Sequence, residues 1–171
     1  SFSRPAKLSE GTSEARFHTA HLRPGIFPGG RVYFCEHSTP DLVWRPEWKA
    51  HENGALSLPE FVVASENQEL EAEKFATLLC SDVNGSGDLL RVHLDGAVIT
   101  ILSPQAYQDR YGYLASPLDM RSSIFGAIVI RVNDLAEIRS IALTAGIPVI
   151  DETNRLVIRH ESFDSVLEFV C

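Results

Sequence analysis

Residues 31 to 44 read RVYFCEHSTPDLVW, with a carboxylate and an imidazole side by side at Glu36 and His37 where an apolar run meets Pro40. Oxygen and nitrogen donors of this kind suit a hard or borderline divalent ion, and charge at a buried strand end needs a partner or a function. Along a strand, Val32, Phe34 and Glu36 share one face, while Tyr33, Cys35 and His37 share the other. Only one of Glu36 and His37 can therefore address a given site unless the strand bends. Two plainer readings stand beside the metal one: His37 braces the Ser38-Thr39-Pro40 turn, and Glu36 pairs with Arg31 or Arg45.

Other polar candidates are more scattered. Glu168 lies in SVLEFV, residues 165 to 170; alternation turns it to solvent if Leu167 and Phe169 face the core, whereas facing inward it would line a cavity. His93 and His160 each sit in a β-rich run and suit an exposed strand face. His18 and His21, three apart in a strand, point to opposite sides and do not chelate together. His51 with Asn53-Gly54 reads as a turn brace or a binding contact. Trp44 and Trp48, four apart, suit one aromatic wall that packs a connection or lines a cavity. The acid-rich stretch ENQELEAEK reads as a solvated helix face.

Positioning these residues is a pattern that occurs twice. EFVVAS (60 to 65) precedes a helical run with Ala72, Phe75, Ala76 and Leu79 on one stripe, and Ser65 with Gln68 predicts a capped start near Glu66. GAIVIRV (126 to 132) precedes a run with Ile138, Ile141, Ala142 and Ala145 on its stripe, capped by Asp134 with Glu137 and closed at Gly146. Two β runs follow each helix: 89 to 94 and 97 to 102 across the Asp95-Gly96 hairpin signal, then 155 to 160 and 165 to 170. A 67-residue slide superposes Leu89 on Leu156, His93 on His160 and Ile101 on Glu168. Short strands at 81 to 83 and 147 to 151 complete a β-α-β-β-β unit present at 57–103 and 124–171, with a turn-rich linker at 104–123. Residues 1 to 56 hold two further strands, 14 to 22 and 31 to 37, and a connection; they read as the closing strands of a third, incomplete unit.

The chain has 171 residues, enough for a substantial core. Its 15 Lys and Arg against 23 Asp and Glu give a net charge of −8, which repels nucleic acid and anionic membranes. Cys35, Cys80 and Cys171 form no metal knuckle or disulfide framework; Cys35 and Cys80 sit in apolar runs and read as small hydrophobes. A soluble protein of a reducing cytoplasm is the expectation. No phosphate loop, nucleophile elbow or zinc-protease motif is present.

The repeat resembles the vicinal oxygen chelate superfamily of glyoxalase I, extradiol dioxygenases and bleomycin-resistance proteins. FSRPAKL, FCEHSTPDLVWRPEW and AHENGA look like the larger glyoxalase-like proteins with two such domains in tandem. The resemblance implies an α+β fold of paired βαβββ modules in a curled mixed sheet. It makes residues 1–56 the end of an N-terminal domain, preceded in a complete member by roughly a hundred residues, and 57–171 the C-terminal domain. In the metal enzymes of this superfamily, first and last strands of both modules supply ligands to one divalent ion, such as Zn, Fe, Mn or Ni. The opening strands of 57–171 lack histidine and the closing strands offer Ile101 and Glu168, so no ion is expected there. Glu36 or His37 would be a ligand completed by residues outside this sequence, with Glu168, Trp44 and His51 as candidates for lining the cup. The implied function is a metal-dependent lyase, isomerase or dioxygenase acting on a small oxygenated metabolite. The alternatives are a non-catalytic protein that binds or sequesters a small molecule, and a module that only packs. The expected partners are a small-molecule ligand and a second copy or the absent N-terminal segment.

Overall fold

The computed structural model describes residues 1–9, 11–160 and 165–171. They divide into two compact units, one of residues 1–27 and 31–51 and one of residues 28–30 and 52–171, each described by itself.

The larger unit is a mixed sheet with order β5-β6-β7-β4-β8-β11-β10-β9. One module comprises β4 (Ala55–Ser65), α2 (Gln68–Leu79), β5 (Val83–Ser86), β6 (Leu89–Leu94) and β7 (Ala97–Leu102). The other comprises β8 (Ser123–Val132), α4 (Leu135–Thr144), β9 (Val149–Asp151), β10 (Arg155–His160) and β11 (Ser165–Val170). In each, the closing strand lies parallel to the opening strand, β7 on β4 and β11 on β8. The opening strands β4 and β8 join the modules antiparallel.

Helix boundaries follow the capping chemistry. α2 starts one turn detail away from expectation: Asn67, not Ser65, caps it by accepting from Leu70 N at 3.0 Å, and Ser65 Oγ accepts from Asn67 N. Asp134 caps α4 by accepting from Ala136 N at 2.8 Å, and Gly146 takes φ +67° just past its end, a conformation glycine adopts without Cβ strain. Two sequence expectations about burial fail on these helices. Glu71 is buried, held by Lys74 Nζ at 3.1 Å and Ser123 Oγ at 3.3 Å, so the acidic face of α2 is not wholly solvated. On α4 the core is met by Leu135, Ile138 and Ala142, and Ile141 is exposed.

The largest departure is the stretch between the modules. It contains a helix, α3 (Pro104–Tyr111), and a 3-10 turn (Gly112–Leu114), where only turns were expected. Ser103 caps α3 by accepting from Ala106 N at 3.1 Å, and Pro104 occupies its first turn, where a missing N–H costs nothing. Tyr107 and Tyr111, one helical turn apart, are fully buried with Leu114 against Val62, Ala64, Val129 and Val166. α3 therefore fills the cup face of the sheet, while α4 packs on the opposite face against Leu156 and Phe169.

The smaller unit is an antiparallel sheet β1-β2-β3 of Phe2–Leu8, Gly11–His21 and Tyr33–His37, followed by a 3-10 turn (Pro40–Leu42) and a short helix, α1 (Pro46–Lys49). β1 was not anticipated because Pro5 interrupts it. It is an edge strand, where proline is tolerated. All three cysteines are exposed, so Cys35 and Cys80 do not pack as small hydrophobes.

Gly126 shows how tightly α3 is seated. Tyr107 Oη donates to Gly126 O at 2.9 Å, and a Cβ on Gly126 would fall 2.6 Å from Tyr107 Cε2. Gly126→Ala should cost roughly 1–3 kcal/mol of stability, read as a lower midpoint in chemical denaturation.

Candidate functional site

β4 and β8 pair Glu60 with Val129, and β8 and β11 pair Val129 with Glu168. Directly opposed residues project to the same face, so the two carboxylates flank Val129 on the cup face. Glu168 is 4% exposed. It does not turn to solvent as alternation beside a single core would require, because this sheet is covered on both faces: Phe169 meets α4's side and Glu168 meets α3's.

α3 delivers a guanidinium between the carboxylates. Arg110 Nη1 and Nη2 donate to Glu60 Oε1 and Oε2 at 2.8 and 3.0 Å, and Nε and Nη2 donate to Glu168 Oε2 at 3.1 and 2.8 Å. Tyr111 Oη donates to the same Glu168 oxygen at 2.8 Å, and Arg155 Nη1 stands 3.6 Å from the other. Arg155 is itself fixed by Glu152 and by the backbone oxygen of Arg110 at 3.1 Å. Burial alone would raise the Glu60 carboxyl, but its hydrogen bonds, those with Arg110 foremost, and the nearby guanidinium charges together outweigh that and hold it below the ordinary 4.5. Burial would lower Arg110, yet the Glu60 hydrogen bonds and nearby negative charge hold it above its usual value, fully protonated. Burial foremost, helped by the adjoining Glu168, pushes the Tyr111 phenol up, which keeps it a donor.

Two carboxylates and a phenol are donors a divalent ion accepts, but here a guanidinium already bonds both carboxylates. This donor set does not fit a metal. Among the described residues, moreover, no group of three or more His, Cys, Asp and Glu side chains could hold an ion. The opening strands lack histidine, but β4 supplies a carboxylate, Glu60, besides the Glu168 of β11. The 67-residue slide also misplaced Ile101: Thr100 pairs with Val62 on the cup face, and Ile101 pairs with Val63 on the other. A one-residue slip exchanges the two faces of a strand. Glu60, Arg110, Tyr111 and Arg155 were all missed.

In the smaller unit, β2 and β3 pair His18 with Glu36 and Phe17 with His37. His18 Nδ1 lies 3.4 Å from Glu36 Oε2 on an exposed face, so Glu36 meets a histidine and not Arg31 or Arg45. His37 lies in an aromatic stack, edge-on to Phe17 at 5.2 Å and parallel to Trp44 at 5.4 Å, with its Nδ1 buried and without a hydrogen-bond partner. Trp48 lies instead under the Arg45 guanidinium at 5.8 Å. His21 stacks on Tyr33, and His51 and His93 are exposed. The side chain of His160 lies outside the described residues.

No protein-family model and no curated protein matches the sequence. Among solved structures, a methylmalonyl-CoA epimerase from Mycobacterium tuberculosis aligns with a TM-score of 0.53 at 17% identity, over 71% of this chain and 91% of that one. The fold is that of the vicinal oxygen chelate proteins. A hypothetical protein from Staphylococcus aureus aligns with a TM-score of 0.60 at 9% identity, over 98% of this chain and 53% of that one, so the chain spans about half its length. At these identities the likeness is one of architecture. Among the described residues of this vicinal oxygen chelate fold, no helix is long and apolar enough to cross a membrane.

Removing the guanidinium leaves two carboxylates facing each other in a packed interior. Arg110→Met should destabilise the protein by roughly 3–5 kcal/mol, and adding Glu168→Gln should restore part of that loss. Glu60 gives a pH signature. Its folded pKa is lowered, so its contribution is complete above the unfolded value near 4.5 and is lost as pH falls through the folded value. Urea denaturation of Glu60→Gln should accordingly show a shallower loss of stability on acidification below that pH than the parent shows.

Proposed function

We propose that this is a glyoxalase-like protein acting on a small oxygenated metabolite, with its chemistry located outside the cup of residues 57–171. The observation that supports this is the Arg110 guanidinium seated between Glu60 and Glu168 beneath a helix that fills the cup. A substrate would have to displace buried tyrosines and a paired cation to enter. The reactive face then falls to the smaller unit, where His18 and Glu36 present a nitrogen and an oxygen donor together on an open surface.

Those two residues fit two ligands of a borderline divalent ion whose remaining ligands would come from residues outside this sequence. When bound, such an ion would polarise a pair of adjacent substrate oxygens and stabilise developing enediolate or catecholate charge. Glu36 would hold it through carboxylate oxygen and His18 through Nδ1. Trp44 stacks on His37 on the face of β3 opposite Glu36, and so would lie outside that site. His37 belongs to that other face in this reading, and the lyase, isomerase or dioxygenase outcome depends on the substrate.

A second reading, binding without chemistry, draws on a cavity of about 300 Å³ on the other face of the large sheet. Phe61, Val63, Phe75, Ile99, Phe125 and Ile128 line it and bring no ionisable group, which suits a small apolar ligand.

Elemental analysis of the purified full chain separates the readings. The catalytic reading expects bound divalent metal, lost in Glu36→Ala and in His18→Ala but kept in His37→Ala. A folded, metal-free parent, or metal retained in both ligand variants, would sink it; metal-free protein that binds small aromatics, and loses them in Val63→Trp, would establish the second reading.

A further inference from the structure

β8 does not run evenly across the large sheet. Val62 of β4 pairs with Ala127 and the next residue, Val63, pairs with Phe125, so β8 carries one extra residue at Gly126. In an unbroken strand Phe125 would share a face with Ala127 and Val129, which meet the cup core. The bulge reverses that parity: Ile124 joins the cup core, and Phe125 lines the apolar cavity on the other face. Tyr107 holds the bulge from the cup through its hydrogen bond to Gly126 O. Pro28–Gly30, which belongs to the same unit, holds Phe125 as well. A Cβ on Gly30 would fall 2.8 Å from Phe125 Cε2, and one on Gly29 would fall 3.1 Å from the Ile124 carbonyl carbon. Backbone approaching this closely requires glycine, so two independent contacts set the Phe125 ring.

Phe125 shares the cavity with Phe61 of β4 and Phe75 of α2. Phe75 is 5% exposed, whereas Phe61 and Phe125 are 36% and 37% exposed, so Phe75 forms the floor and the other two rings flank the mouth. The cavity volume of about 300 Å³ decides what fits. An apolar cavity of about 150 Å³ takes benzene, which leaves room here for a second fused ring. A charged molecule would lose its hydration with no ionisable partner in the lining. We propose that this cavity binds an uncharged, fused two-ring aromatic molecule among Phe61, Phe75 and Phe125, and that the Gly126 bulge and Gly30 set Phe125 as its wall. Three rings from a strand, a helix and a bulged strand supply the offset and edge-on contacts that aromatic molecules favour. The proposal rests on the second reading above only in placing a small apolar molecule in this cavity. A metal ion on the smaller unit is no part of it.

The test is calorimetric titration of the full chain with indole as probe. The parent should bind indole with a Kd below about 1 mM, and the charged indole-3-acetate at least about tenfold more weakly. Phe125→Ala and Gly30→Ala, each checked for folding by thermal denaturation, should weaken indole about tenfold, the first by removing the ring and the second by displacing it. Phe125 is partly exposed, so its truncation leaves a folded protein with which to read the result. Trp44→Ala, in the smaller unit, should leave indole binding unchanged. Indole held equally by the parent and by folded Phe125→Ala or Gly30→Ala, or weakened as much by Trp44→Ala, would overturn the assignment of Phe125 as the wall. Benzene bound without indole would overturn the two-ring ligand while leaving the cavity reading in place. Neither bound would overturn both.

Discussion

A guanidinium bonded on one side by the buried Glu168 and on the other by the half-buried Glu60 fixes more of this molecule than any other contact. Arg110 brings four hydrogen bonds to Glu60 and Glu168, which come from the opening strand of one module and the closing strand of the other. Two like charges flanking Val129 would repel across a low-dielectric interior. The helix that carries the compensating charge must therefore stay on the cup face. Tyr107 and Tyr111 follow from that placement, since a helix pinned at Arg110 fills the cup with whatever sits one turn back and one residue on. Charge, helix position and packing are one arrangement, and Gly126 keeps its place in it because Tyr107 leaves no room for a side chain.

The duplication was legible in the sequence because hydrophobic period and capping residues are local signals. Asp134, Gly146 and the β runs after each helix all announced themselves within a few residues. Register is different, because the face a strand residue occupies depends on parity, and an odd offset between copies reverses it. Superposing Ile101 on Glu168 suffered that reversal, and the cup-facing Thr100 was passed over. Glu60 went unnoticed because the search of the opening strands was for histidine. Arg110 lay in a segment read as linker, although Ser103-Pro104 followed by Tyr107 and Tyr111 at helical spacing was a usable signal for a capped, buried helix. What no local pattern could provide was the meeting of residues 60, 110 and 168, which only the sheet order creates.

Glu36 and Glu168 show how one strand position can serve opposite ends. Both are carboxylates near a strand's end. Around Glu168 the chain supplies Arg110, Tyr111 and Arg155, so its oxygens are committed and the group contributes cohesion. Around Glu36 it supplies the His18 imidazole and leaves the pair on the surface. A carboxylate already satisfied by guanidinium has little to offer a substrate or an ion, whereas one beside an imidazole keeps coordinating capacity. The neighbouring aromatics show the same contrast: Tyr111 beside Glu168 is buried, while Phe34 on the face of Glu36 stays accessible. The larger unit thus commits its carboxylates to cohesion, while the His18–Glu36 pair of the smaller unit stays on the surface.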